Sequence, residues 1–426
     1  MCVFFVCIYV CSMSGFSAAV KLGDLDDFLS PANECIVPLV PQPSKVGIIK
    51  SVSGKDGAVA GISLSDCLAC SGCVTSAETI LLQSQSVDEL MEKWSDFSIV
   101  FTISSASRRA LSDHFGVSQL ELCGWLQKRL QVPVLDISLA EAIVLSESLA
   151  DQQVGPVLTS HCPGWTCYAV KMLGKEILSR LSRVKSAEQI QGMIIKNVCQ
   201  QPHRRMFSHI PVYNTKPIFH VLVSPCFDKK LEIIRPEYAG MVDLVLATME
   251  FVDLLAGKTP VDVPSKFDIY SLIGLRTIWV PSSSGVESGG YAQAAADQEH
   301  INSEWTGRSS DLTQRGNQFM RSNGFKNIQN ITRRIRSGTL KNYTLVEVMA
   351  CPGGCPRGGG QPSGTKNATN TFHETCSPNK YVPALQMRKK LEAVMPPGWL
   401  YTEWKALVPI DPATGNKLPT ASDLKW

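Results

Sequence analysis

Cys67-Leu68-Ala69-Cys70-Ser71-Gly72-Cys73 places three thiols at i, i+3 and i+6, a spacing that lets one short loop cap three corners of an iron–sulfur cube. A fourth ligand must come from elsewhere. Cys35 is the nearest upstream candidate, on a segment that Pro38 stiffens. Zinc is the chief rival, but structural zinc sites use separated cysteine pairs, and three overlapping ligands suit a tetrahedral ion poorly. Iron–sulfur chemistry is therefore the preferred reading.

Three more cysteine motifs are spread along the chain, each directly after a segment that reads as a buried strand. Thr159-Ser160-His161-Cys162-Pro163-Gly164-Trp165 sets Cys162 at the start of a helix, with Pro163 where a helix can begin. There the dipole and free backbone N–H groups favour a thiolate. Ser224-Pro225-Cys226-Phe227-Asp228-Lys229-Lys230 supplies two lysines able to offset thiolate charge. Ala350-Cys351-Pro352-Gly353-Gly354-Cys355 runs on into Pro356-Arg357-Gly358-Gly359-Gly360-Gln361, whose glycines let backbone approach closely and aim N–H groups at sulfur. Any one motif reads equally well as a Gly/Pro turn around a buried thiol; three in a row, each after a strand, do not.

The elements that carry these motifs alternate. Segments 98–103, 132–137, 157–159, 218–223 and 343–349 have strand character, and helical patterns fall between them, for example over 120–130 and 168–181. The expected fold is α/β with mostly parallel strands, in which sites collect beyond the carboxyl ends. A short hairpin around Gly54-Lys55-Asp56-Gly57 would bring Cys35 to the triplet. Segments 298–337, polar and Arg-rich, and 358–379 read as surface loops or insertions, and 382–394 as a late helix stopped by Pro396-Pro397. Cys123, Cys167, Cys199 and Cys376 have no partner spacing and read as core thiols, and His203-Arg204-Arg205 and Arg333-Arg334 as solvated faces.

Composition narrows the classes. With 44% apolar and 19% charged residues among 426, the chain is globular, and 41 basic against 38 acidic residues give +3, too little field for a nucleic-acid or membrane partner. The apolar run 1–11 is about half a membrane span and lacks a basic flank, so residues 1–12 are expected to be a non-structural extension, with Met13 an equal candidate start. Without export the 15 cysteines stay reduced, and their odd number fits metal chemistry better than a disulfide framework.

The motifs T-S-x-C-P-G-W, P-C-x-x-K-K-x-E and E-x-M-A-C-x-x-G-C-x-x-G-G-G-Q are similar to the three signatures of iron-only hydrogenases, over roughly residues 96–361. The resemblance implies two α/β lobes of iron-only hydrogenase type, with Cys162, Cys226, Cys351 and Cys355 holding one [4Fe–4S] cluster between them. Two positions depart. Hydrogenases carry a second cysteine beside the first ligand, for proton transfer to a di-iron centre, where this chain has His161; a methionine before the Pro-Cys is Ser224 here. The N-terminal arrangement, from Ser14-Gly15-Phe16-Ser17 and Asp24-Leu25-Asp26-Asp27-Phe28-Leu29 through Cys35, Cys67, Cys70 and Cys73, instead resembles the hydrogenase-like proteins of cytosolic iron–sulfur protein assembly, whose paralogue is the prelamin A recognition factor.

That family implies a non-catalytic protein with two [4Fe–4S] clusters, linking an early scaffold to the late targeting complex that serves cytosolic and nuclear apoproteins. It implies a cytoplasmic location and leaves a nuclear share open. The expected organisation is an N-terminal iron–sulfur module (1–95), two hydrogenase-like lobes (96–240 and 241–400) and a C-terminal tail (401–426). The tail ends Leu424-Lys425-Trp426; Leu424 and Trp426 match the family's docking signature for the WD40 subunit of the targeting complex, and Lys425 departs from it. A Trp tucked against its own domain is the competing reading. The competing functions are a hydrogenase whose di-iron centre survives His161, and a lamina-type interaction protein.

Overall fold

The computed structural model describes residues 82–119, 121–150, 155–199, 216–235, 238, 240–256, 290–301, 303–309, 311–362, 388–389, 391–392 and 395–404; at 149, 198, 199, 298 and 308 only the backbone is described. All of them belong to one compact unit within Val46–Pro409. Cys35, Cys67, Cys70, Cys73, Leu424 and Trp426 lie outside the described residues, as do the proposed hairpin and Cys376.

Two sheets organise the chain. The first has the order β2-β1-β4-β5, from Val134–Asp136, Ser98–Ile103, Ile218–Ser224 and Leu244–Ala247, and every pair is parallel. Its strands are buried throughout, as strands covered on both faces must be, which is why Ser98–Ile103 (SIVFTI) reads as an apolar run without alternation. Ile99, Phe101, Val221 and Leu246 pack on the helices Leu122–Leu130 and Thr248–Ala256, while Val100, Leu222 and Val245 face the opposite core.

The second sheet has the order β3-β9-β8-β7-β6, from Val157–Thr159, Leu345–Met349, Phe319–Asn323, Leu312–Arg315 and Thr306–Ser309. β3, β9 and β8 are parallel; β7 and β6 complete it as an antiparallel meander. The helices Ser138–Ala150, Ala187–Ile194 and Tyr291–Gln298 share one core with strands of both sheets. The helices Pro163–Met172 and Phe325–Arg336 cover the second sheet's other face.

Several sequence expectations need correction. The segment 298–337 is no surface insertion: it supplies three strands and a helix, and Phe319 and Met320 are buried. Its polarity misleads because Arg321 is buried under Trp305, with the guanidinium 3.9 Å from the ring centre, so a charged residue occupies a core position. The helix expected over 168–181 begins at Pro163 and stops at Met172, and a separate turn spans Lys175–Leu178 beyond Gly174. Sheet membership also crosses the division at residue 240: β3 lies in the second sheet and β5 in the first.

Candidate metal centre

The carboxyl ends of β3, β4 and β9 run directly into the three cysteine motifs. Cys162 is the residue before the helix Pro163–Met172, in extended conformation, with its N–H bonded to the Ser160 hydroxyl at 2.9 Å. Ser160 in turn donates to the Val348 carbonyl at 2.5 Å, and the Ala350 N–H reaches the Cys162 sulfur at 3.4 Å. Those bonds fasten the β3 motif to the β9 motif. Cys226 follows β4 and precedes the helix Asp228–Ile233; Cys355 opens the tight turn Cys355–Arg357.

Glycine brings the third motif onto the second. The Gly360 N–H donates to the Pro225 carbonyl at 2.8 Å, and a Cβ on Gly358 would stand 2.4 Å from that oxygen. Gly353 and Gly354 hold φ of 75° and 77°, the left-handed side that only glycine adopts freely, which turns the chain between Cys351 and Cys355. The Gly353 N–H donates to Asp311 at 2.7 Å, tying the loop to the start of β7.

The four thiols feel one another. Burial pushes Cys226 well above the usual thiol value, followed by Asp228 and then by charge on Cys351, Cys162 and Cys355. Burial raises Cys351 too, with Cys162 and Cys355 adding to it, and raises Cys162 against the opposing Ala350 N–H. A buried set of mutually repelling thiols holds its protons unless a cationic centre stands among them. Among the described residues no three His, Cys, Asp or Glu side chains close to the spacing of a single metal ion. Four thiols on three strand-end motifs are the donor type that iron–sulfur clusters take.

A second layer of charge lies behind Cys162 and Cys226. His161, buried, places Nε2 3.3 Å from Glu188; Lys229 places Nζ 3.1 Å from the same carboxylate and 2.8 Å from Glu232. Tyr238 donates to Glu232, and Ser186 lies 2.9 Å from the Tyr238 hydroxyl. Burial opposes the charge on Lys229, but Glu188 and Glu232 outweigh it and raise the ammonium's pKa; burial lowers that of His161. Lys230 turns away to Glu250 at 2.7 Å and the Gln85 carbonyl at 2.6 Å. The pair of lysines expected to offset thiolate charge is thus held mainly by carboxylates, and only Lys229 acts on the thiols.

Residues 98–359 match the family described as iron only hydrogenase large subunit, C-terminal domain. The chain belongs to the iron-only hydrogenase family. Protein NAR1 of Arabidopsis thaliana is 33% identical, with 81% of this chain and 84% of the plant protein covered. The cytosolic iron-sulfur assembly component 3 of Bos taurus is 34% identical, with 82% and 85% covered. Among solved structures, a variant of the [FeFe]-hydrogenase HydA1 from Chlamydomonas reinhardtii superposes with a TM-score of 0.56 at 17% identity, covering 78% of this chain and 99% of that one, a likeness of fold. The family implies iron–sulfur clusters.

Within that family fold, the position beside Cys162 is held by His161, engaged by a carboxylate. Glu232 closes the motif P-C-x-x-K-K-x-E without having been given a role, and sequence reasoning did not find Glu188 or Tyr238. One signal was readable: Ser186-Ala187-Glu188-Gln189 forms a capping box, with Ser186 and Gln189 bonded reciprocally, and so fixes where the helix carrying Glu188 begins.

Proposed function

We propose that this chain is a non-catalytic iron–sulfur protein of the cytosolic iron–sulfur cluster assembly machinery. The observation that supports the reading is that Cys162, Cys226, Cys351 and Cys355 follow the ends of strands in two sheets, with Cys226 and Cys351 buried within reach of the other thiols' charge. In this reading they hold one [4Fe–4S] cluster in the body. Cys35, Cys67, Cys70 and Cys73 hold a second in an N-terminal module, ahead of a body in which both sheets draw strands from either side of residue 240. Relatives named as cytosolic iron–sulfur assembly factors favour assembly over hydrogen chemistry. So does His161, which occupies the hydrogenase's second-cysteine position and is tied into a carboxylate network.

The protein then joins an early scaffold to the late targeting complex, meets that complex's WD40-propeller subunit through Leu424 and Trp426 of the tail 401–426, and serves client apoproteins in the cytoplasm and nucleus. Iron and acid-labile sulfide per chain, with EPR of the reduced protein, test the cofactor assignment: about eight irons supports it, and about four irons together with zinc removes the N-terminal cluster. Infrared bands of iron-bound CO and cyanide, with hydrogen evolution, would overturn the non-catalytic reading.

A further inference from the structure

The helix Phe325–Arg336 carries charge of one sign on its outer face. Ile328 and Ile331 are buried against the second sheet, and Phe325 meets Tyr168 edge-on at 4.9 Å, which fixes the helix's rotation. Lys326, Gln329, Arg333 and Arg336, spaced i, i+3, i+7 and i+10, therefore share one face, and all four are exposed. Lys341 is also exposed, and its stem lies beside Gly338 just past the helix end. Among the described residues none of these four cations pairs with a carboxylate. Arg334 does not join them: it stacks on Tyr343 at 5.6 Å.

Two other helices of this chain pair their outer charges. Glu89 pairs with Lys93, and Arg109 with Asp113, each at i, i+4. The helix Phe325–Arg336 has no acidic residue at all. Arg333 and Arg336 repel at i, i+3, and although cations at the carboxyl end suit the helix dipole, Lys326 sits in the first turn, where a cation opposes it. The helix packed alongside, Lys175–Leu178, adds Lys175 and Glu176, which cancel. The free protein thus holds an arrangement that its own electrostatics disfavour.

We infer that this face docks an acidic segment of a partner protein. Three cations along about 15 Å of helix match carboxylates on a short helical or extended segment. A nucleic acid or an anionic membrane asks for a broader field than a chain with net charge +3 provides. The contact is separate from the cysteine motifs and from the carboxyl-terminal tail.

The test uses the full anaerobically prepared chain and the variant Lys326→Glu/Arg333→Glu/Arg336→Glu, whose substitutions are all on exposed side chains. A fluorescent twelve-residue peptide with glutamates at i, i+7 and i+10 should bind the parent and lose about tenfold or more in affinity for the variant and on raising salt. Iron content should not change. The variant's melting temperature at low salt should stay within about 2 °C of the parent's, because an acidic group at position 326 suits the dipole while acidic groups at 333 and 336 oppose it and repel each other as the arginines do. A fall of about 5 °C or more would mean that another segment of this same chain already covers the face, which overturns a partner. No peptide binding, equal binding to the variant, or tighter binding of an oligonucleotide or of phosphatidylserine vesicles overturns the proposal as well.

Discussion

Replacing Gly358 by alanine tests whether the second and third cysteine motifs are held together as described. Gly358 has φ −60° and ψ 146°, a conformation open to any residue, so the substitution brings no backbone strain of its own. Its cost is steric. The new Cβ would stand 2.4 Å from the Pro225 carbonyl oxygen and 3.1 Å from that of Cys355, where ordinary contact begins at 3.4 Å. Both neighbours are backbone and cannot swing aside, so Pro225 must retreat by about 1 Å or the glycine loop must lift by as much.

Either movement stretches the 2.8 Å bond from Gly360 N–H to Pro225 and shifts Cys226, the next residue, relative to Cys355. Lost packing and one weakened hydrogen bond cost about 1–3 kcal/mol. The effect on metal is larger, because ligand positions are tolerated only within about 0.2 Å. After anaerobic reconstitution Gly358→Ala should hold about four fewer irons per chain than the parent, with the EPR signal of one cluster lost. Gly116→Ala serves as control: nothing lies within 4 Å of its Cβ, yet its φ of 65° is strained, so it should cost stability and leave iron unchanged. If Gly358→Ala keeps its full iron and its EPR line shape, Cys226 does not share a cluster with Cys355.

Glu347 gives a pH test away from the thiols. It accepts the Ala292 N–H at 3.1 Å at the start of the helix Tyr291–Gln298, yet burial raises its pKa to about 7. A carboxyl whose pKa is raised in the folded state stabilises fully below about 4.5, and that contribution is lost as pH rises through 7, about 3 kcal/mol in all. Glu347→Gln should therefore gain on the parent by about that amount between pH 5 and pH 8 in denaturant titrations; parallel curves would refute it. Ser186→Ala removes both the cap of the helix Ala187–Ile194 and the hydroxyl facing Tyr238, and should cost about 1–2 kcal/mol in the same assay. A loss below about 0.3 kcal/mol would mean that the cap bears no strain-free bond worth counting.

The parallel strands were legible because burial on both faces leaves a plain signature. Ile218–Ser224 and Leu345–Met349 are apolar runs with little else to be, and each is followed at once by a cysteine motif whose proline and glycines mark the turn. The meander was not legible. Leu312–Arg315 is half-buried along its length, and Phe319–Asn323 buries Arg321 and Ser322 beside Phe319 and Met320, so neither alternation nor an apolar run survives in the sequence. Their strand character comes from pairing, Phe319–Asn323 with β9 and Leu312–Arg315 with Phe319–Asn323, and chain order conceals the first of these. The same pairing carries β3 across to the second sheet, so a boundary drawn by position along the chain could not follow the sheets.

At the metal centre, spacing named the four body cysteines but could not supply their electrostatic surroundings. Lys229 and Lys230 look equivalent in a linear reading, two cations after a cysteine. In the fold one helical step separates their fates, because a short helix of buried residues points successive side chains in different directions. Lys229 meets Glu188 from a helix some forty residues earlier, and that glutamate also holds His161. Lys230 clamps the carbonyl of Gln85, ahead of the first strand. A cation's role depends on which carboxylate reaches it, and Glu188 arrives only when Ala187–Ile194 packs between the sheets. The residue beside Cys162 and the lysine after Cys226 are therefore read correctly only together: His161, its pKa lowered by burial, and Lys229 share one buried carboxylate, so neither stands as a free counter-charge for an anionic group beyond the cysteines.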